Sequence, residues 1–184
     1  MITASEFRAA FSADGLATFV PNVVSAIGLS QEQAVWLVNV GLPRSTAPFL
    51  DFGGKNESSL PSMAALFQER DRAIAERYRV IGSNGNGDPV VLDLAANGAV
   101  AYLNHDNNMC RILINSSVTQ LAECLLAFKR LIDLAQAANG EDAYLDGDIP
   151  SDALNEFVEI VRACDPAALE IDTMWTDEVQ SFNL

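Results

Sequence analysis

Apolar residues recur along this chain in two rhythms. From Val118 onward, Val118, Leu121, Ala122, Leu125, Phe128 and Ile132 follow i, i+3, i+4, i+7 spacing, which predicts a long helix stopped by "ANG" at 138–140. Ser116 or Ser117 can cap its start by accepting a backbone N–H. A final helix is expected from about Asp152 to Cys164. There Leu154, Phe157, Val158 and Val161 share one face, and Asp152, Glu156 and Glu159 share the opposite one. Near the N-terminus, Thr3 and Glu6 stand at capping-box spacing, with Phe7 and Phe11 on the apolar side of the helix they start. Ser30 and Gln33 repeat the device ahead of Trp36, Leu37 and Val40; Gly41 and Pro43 then end that helix. Residues 62–76 have helix-favouring composition.

Between the helices the rhythm shortens. A brief strand is expected around Phe49–Phe52, then four extended runs: "RYRVIG" ending at Gly82, "PVVLDL" from Pro89, "AVAYLN" at 99–104 and "MCRILIN" at 109–115. Asn97-Gly98 is a hairpin signal, because both residues tolerate positive φ. "HDNN" at 105–108 supplies a second polar turn. The fold class expected is α+β: an antiparallel meander of about four to six strands flanked by helices, in a single domain spanning 1–184. Within it, 1–35 supply N-terminal helices and 133–184 an acidic helical region packed on the rest.

Charge sharpens this division. Residues 1–132 hold 12 Asp+Glu and 10 Lys+Arg; residues 133–184 hold 13 acids and one base, Arg162. The two portions therefore carry −2 and −12 of the net −14. Direct binding to nucleic acid or to an anionic membrane needs clustered Lys/Arg and is disfavoured. A basic partner would be steered toward such a field. The apolar run "AVWLVNVGL" is too short to span a bilayer, no signal peptide is visible at the N-terminus, and three cysteines without motif spacing suit a reducing cytosol.

Motifs for catalysis and ligand binding fail on inspection. Gly82, Gly85 and Gly87 run in the order G-x-x-G-x-G with a strand following, so they bend the chain and do not cradle a phosphate. "DGDIPSD" lacks the glycine and glutamate that a calcium loop wants at its sixth and twelfth positions. His105, the single histidine, sits in a polar turn as a solvent-facing residue, and no G-x-S-x-G accompanies it. Trp36 and Trp175 read as packing anchors. No metal or cofactor is expected.

The order of "WLVNVGLP", "YRVIG", "GDPVVLDLAANGAVAYLN", "INSSVTQLAECLLAF" and "DPAALEIDTMW" resembles the SUKH superfamily, nearest its fourth group of bacterial immunity proteins. The resemblance covers most of the chain from residue 36 onward. It implies an α+β fold and a cytosolic, noncatalytic protein encoded beside a toxin, often a nuclease or nucleic-acid deaminase, which it binds and blocks. Gly41, Pro43, Gly82, Asp93, Gly98, Asn115 and Ser116 then read as structural turn and cap positions. Candidates for the toxin interface are Glu141, Asp142, Asp146, Asp148, Asp152, Glu156 and Glu159, with the sheet face and turns around Tyr102 and His105 as the rival surface. The partner expected is a basic toxin domain. A regulatory or scaffold protein of the same fold, with a non-toxin partner, is the alternative, and an enzyme acting on a small molecule a third reading. Oligomeric state is not legible.

Overall fold

The computed structural model describes residues 2–66 and 72–182. Thr3 and Glu6 form the full capping box and launch α1 (Ala4–Ala10), which buries Phe7. Next come the short β1 (Leu16–Ala17), α2 (Pro21–Ser25) and α3 (Gln31–Val35). Only half of the second expected capping box is realised. Ser30 Oγ accepts from the Gln33 N–H, but the Gln33 side chain does not return to Ser30. It is buried, donates to Asn97 O at 2.9 Å and accepts the Val118 N–H at 3.2 Å. One side chain thus joins α3, a hairpin turn and the start of the long helix.

The helix that was expected to continue to Gly41 changes pitch. Trp36–Val40 form a π-turn, closed by the Gly41 N–H on Trp36 O at 2.8 Å. Gly41 ends the helix as expected, at φ +86° and ψ −172°, a positive-φ conformation that favours glycine. A Cβ there would lie 2.4 Å from Ala17 O. Only glycine lets β2 (Leu42–Pro43) pair with β1 in register Leu16↔Pro43.

Six antiparallel strands follow in sequence order: β3 (Ser45–Thr46), β4 (Leu50–Phe52), β5 (Tyr78–Asn84), β6 (Pro89–Asp93), β7 (Ala99–Asn104) and β8 (Cys110–Asn115). Gly82 is a contact glycine. A Cβ there would sit 2.0 Å from Asp51 O of the paired strand β4, next to the register shift between Val80 and Gly82. Asn97 and Gly98 do take positive φ, 54° and 79°. The connection is nevertheless longer than a two-residue turn, because Leu94–Ala96 form a 3₁₀ turn before them. The 62–76 helix is represented by α4 (Met63–Leu66) and α5 (Arg72–Glu76); residues 67–71 of that expectation lie outside the described residues.

The sheet buries both faces. Ile81, Val90, Leu92, Val100 and Ile114 face the main core under α6 (Val118–Asn139). Tyr78, Val80, Val91, Ala101 and Leu103 face a smaller cluster with Met63 and Ala75. Ser117, not Ser116, caps α6. Of the expected α6 stripe, Val118 through Phe128 are buried and Ile132 is half-buried. Cys124, Leu126, Ala127 and Leu131 are buried as well, since α1 and α7 (Ser151–Cys164) cover other sides of the same helix. A last helix not foreseen, α8 (Met174–Ser181), buries Trp175. Leu113 on the outer edge of β8 forms a parallel bridge with Thr173, so the segment entering α8 covers that edge at one point.

Candidate interaction surface

The acidic residues singled out from sequence lie on the loop 140–150 and the outer face of α7. Burying Ala153, Leu154, Phe157 and Val161 against α6 turns Asp152, Glu156 and Glu159 outward. The loop is held through its main chain. Gln136 donates to Glu141 O and Asn139 to Asp148 O, both at 2.9 Å, while the Asp146 N–H reaches Asp142 O at 2.9 Å and the Asp148 N–H reaches Ala143 O at 2.8 Å. Glu141, Asp142, Asp146 and Asp148 are therefore exposed on an ordered support. Among the described residues Glu159 is the member of the seven with an ion pair, to Arg162. The arrangement can attract and orient a cationic surface.

The rival surface is differently built. Tyr102 is half-buried on the α6 side of the sheet, not on an open face, and packs against the main core. His105 opens the β7–β8 turn with its side chain about half exposed, but it is anchored. Its Nδ1 lies 2.6 Å from Asp88 Oδ1, and its backbone N–H donates to the same oxygen at 2.9 Å. Asp88 is 2% exposed. Burial pushes its carboxyl up, yet the hydrogen bonds from His105 and Asn84 outweigh this and hold it below its ordinary value. The hydrogen bond to Asp88 raises the His105 imidazole, assisted by Asp106. His105 is the solvent-facing turn residue expected, and the pair with Asp88 fastens that turn.

The remaining positions frame these surfaces. Asp93 is fully buried, takes both Arg77 nitrogens at 3.0 and 2.7 Å and Arg111 Nε at 2.9 Å, and accepts the Ala95 N–H at 3.2 Å. It closes the β6–β7 connection and also draws a guanidinium from each of two neighbouring strands or turns. Pro43 lies buried in β2. Asn115 ends β8, as the run 109–115 predicted, and is fully buried. Its Nδ2 donates to Asp165 Oδ2 at 2.9 Å, and its Oδ1 accepts from Trp175. Ser116 gives both its N–H and its hydroxyl to Asp165, each at 2.7 Å. Asp165, missed in the sequence, is thus a buried carboxylate satisfied by three donors. Cys124 and Cys164 meet beside it with sulfurs 3.6 Å apart. Among the described residues, no group of three or more His, Cys, Asp or Glu is placed to hold a metal ion, and no helix is long and apolar enough to cross a membrane.

The scaffold is α+β, a six-stranded antiparallel meander and a two-stranded sheet flanked by helices, one of which exposes an acidic face. The family model described as SUKH-4 immunity protein matches residues 2–181, and the chain belongs to that family. No curated protein and no solved structure matches it at a significant level.

Proposed function

We propose that this chain is an immunity protein that binds a cognate toxin domain in the cytoplasm and blocks it without chemistry of its own. Membership of the SUKH-4 immunity family across residues 2–181 carries the reading. The class of toxin is the one the family resemblance implies, and the charge of this chain supports it. A nuclease or nucleic-acid deaminase presents a basic cleft to its substrate, and an acidic surface on an ordered support can occupy that cleft. Glu141, Asp142, Asp146, Asp148, Asp152, Glu156 and Glu159 supply that surface, all exposed.

The test is expression of the toxin domain encoded beside this gene in a sensitive bacterium, with and without this protein. Rescue together with a copurified complex is the expected result. Absence of rescue against a toxic neighbour would reject direct neutralisation and move weight to a regulatory partner.

A further inference from the structure

Away from the outer face of α7, the turn between β3 and β4, the α6–α7 loop and α8 enclose a groove. Phe49 and Leu145 stand on its rim, 61% and 69% exposed. Phe49 and Tyr144 have ring centroids 6.2 Å apart, tilted 36° to one another. Tyr144 continues to Phe182 at 6.0 Å, and both pack on Phe128 in the core. The aromatic rim is therefore continuous with the rigid interior.

Two adjoining hollows lie along this groove. One, of about 190 Å³, lies among Phe49, Tyr144 and Phe182; the other, of about 210 Å³, lies among Tyr102, Met174 and Asp177. Glu178 walls both. Its Oε1 accepts from the Tyr144 hydroxyl at 2.9 Å. Burial pushes the Glu178 and Asp177 carboxyls up, and Asp172 adds repulsion at Asp177. Among the described residues, none that lines either hollow is basic. The groove thus offers apolar ring surface beside two carboxylates with no counter-charge among the described residues of its walls.

We propose that this groove seats an arginine side chain presented by a partner protein. The planar guanidinium stacks on the exposed ring faces while its fork reaches a carboxylate, a combination the compact lysine head does not match. An acidic partner would place like charge against Asp177 and Glu178, and a purely apolar one would leave them covered and unpaired. The partner's identity as a toxin rests on the function proposed above; the arginine preference does not.

The variants Phe49→Asn and Asp177→Asn remove the ring and the exposed charge. Phe49 has φ +57°, which asparagine tolerates, so the turn survives the exchange. Nα-acetyl-arginine methylamide and its neutral citrulline counterpart are titrated into the intact protein while the ring signals of Phe49 and Tyr144 are followed by NMR. The arginine compound is expected to bind at least about threefold more tightly than the citrulline one, and the double variant to lose that difference. Equal responses, or none, overturn the proposal. With the neighbouring toxin domain, the double variant is expected to dissociate about tenfold faster. Equal dissociation from wild type and double variant removes the groove from that interface and leaves immunity standing. A toxin that does not bind the wild type removes the immunity reading, and the arginine titration still decides the groove.

Discussion

Trp175 Nε1 donates to Asn115 Oδ1 at 3.0 Å, joining α8 to the end of β8 across 60 residues of chain. Two of the segments that resemble the SUKH pattern meet here: the start of "INSSVTQLAECLLAF" and both ends of "DPAALEIDTMW", Asp165 and Trp175. The other tryptophan makes a contrast. Trp36 packs edge-on against Phe7 at 5.4 Å, and its buried indole N–H has no hydrogen-bond partner among the described residues.

The two tryptophans should therefore respond differently to phenylalanine. Trp175→Phe opens space in a fully buried site and orphans the Asn115 carbonyl, a loss of about 2–4 kcal/mol. Trp36→Phe removes an N–H that was already unpaired and should cost about 1 kcal/mol. Urea unfolding monitored by far-UV circular dichroism separates the two, and equal losses would contradict the hydrogen-bond account.

Asp93 is the buried charge on which Arg77 and Arg111 converge. Asp93→Asn leaves both guanidiniums without their carboxylate. The arginines are partly exposed, at 37% and 28%, so water offsets part of the loss. A destabilisation of about 2–3 kcal/mol is expected, at the low end for a broken buried pair. A shift in the urea midpoint without a change in slope is the signature.

The His105–Asp88 pair makes stability depend on pH. The folded imidazole is raised above its ordinary 6.5, so its contribution is complete below that value and fades as pH rises through the folded one. Asp88 is lowered from 3.8; its contribution is complete above that value and fades as pH falls through the folded one. His105→Gln should cost more stability near pH 5.5 than near pH 8.5. Identical losses at both would mean that the imidazole is neutral throughout.

Thiol reactivity should rank by position. Cys110 is exposed, Cys164 half-buried and Cys124 buried. The hydrogen bond with Cys164 and burial both push the Cys124 thiol up, keeping it protonated. Ellman's reagent should titrate Cys110 at once and release Cys124 only on unfolding. Rapid labelling of all three in the native state would place Cys124 elsewhere.

Charge reversal can test the acidic surface without harming the helix. Asp152 sits in the first turn of α7, where an anion is favoured, so it is left in place. Glu141→Lys with Glu156→Lys should slow toxin association about tenfold at low salt and much less at high salt. Unchanged association rates would remove this face from the encounter.

Local rules that need only neighbours in sequence were legible. The Thr3–Glu6 box, the α6 and α7 stripes and the four main strands depend on spacing alone. What escaped depends on partners far along the chain. The strands β1, β2 and β3 have two residues each and exist because something distant pairs with them. The Gln33 side chain left its local cap for two partners 64 and 85 residues away. α8 had a readable signal, Trp175, Val179 and Phe182 at i, i+4, i+7, but it is short and set among acids. Asp152, Glu156 and Glu159 could be named from one helix face, and the four loop acids from the charge balance of 133–184. The groove could not, since Phe49, Tyr144 and Asp177 come from three separated segments.

At Gly82 the backbone of β4 lies where any side chain would have to be. At Glu141 and Glu156 the side chains end in water. Mutational freedom is thus divided sharply within one small domain. The frame accepts a single residue at such a close approach, while exposed acids such as Glu141 and Glu156, away from the first turn of α7, are free of packing constraints.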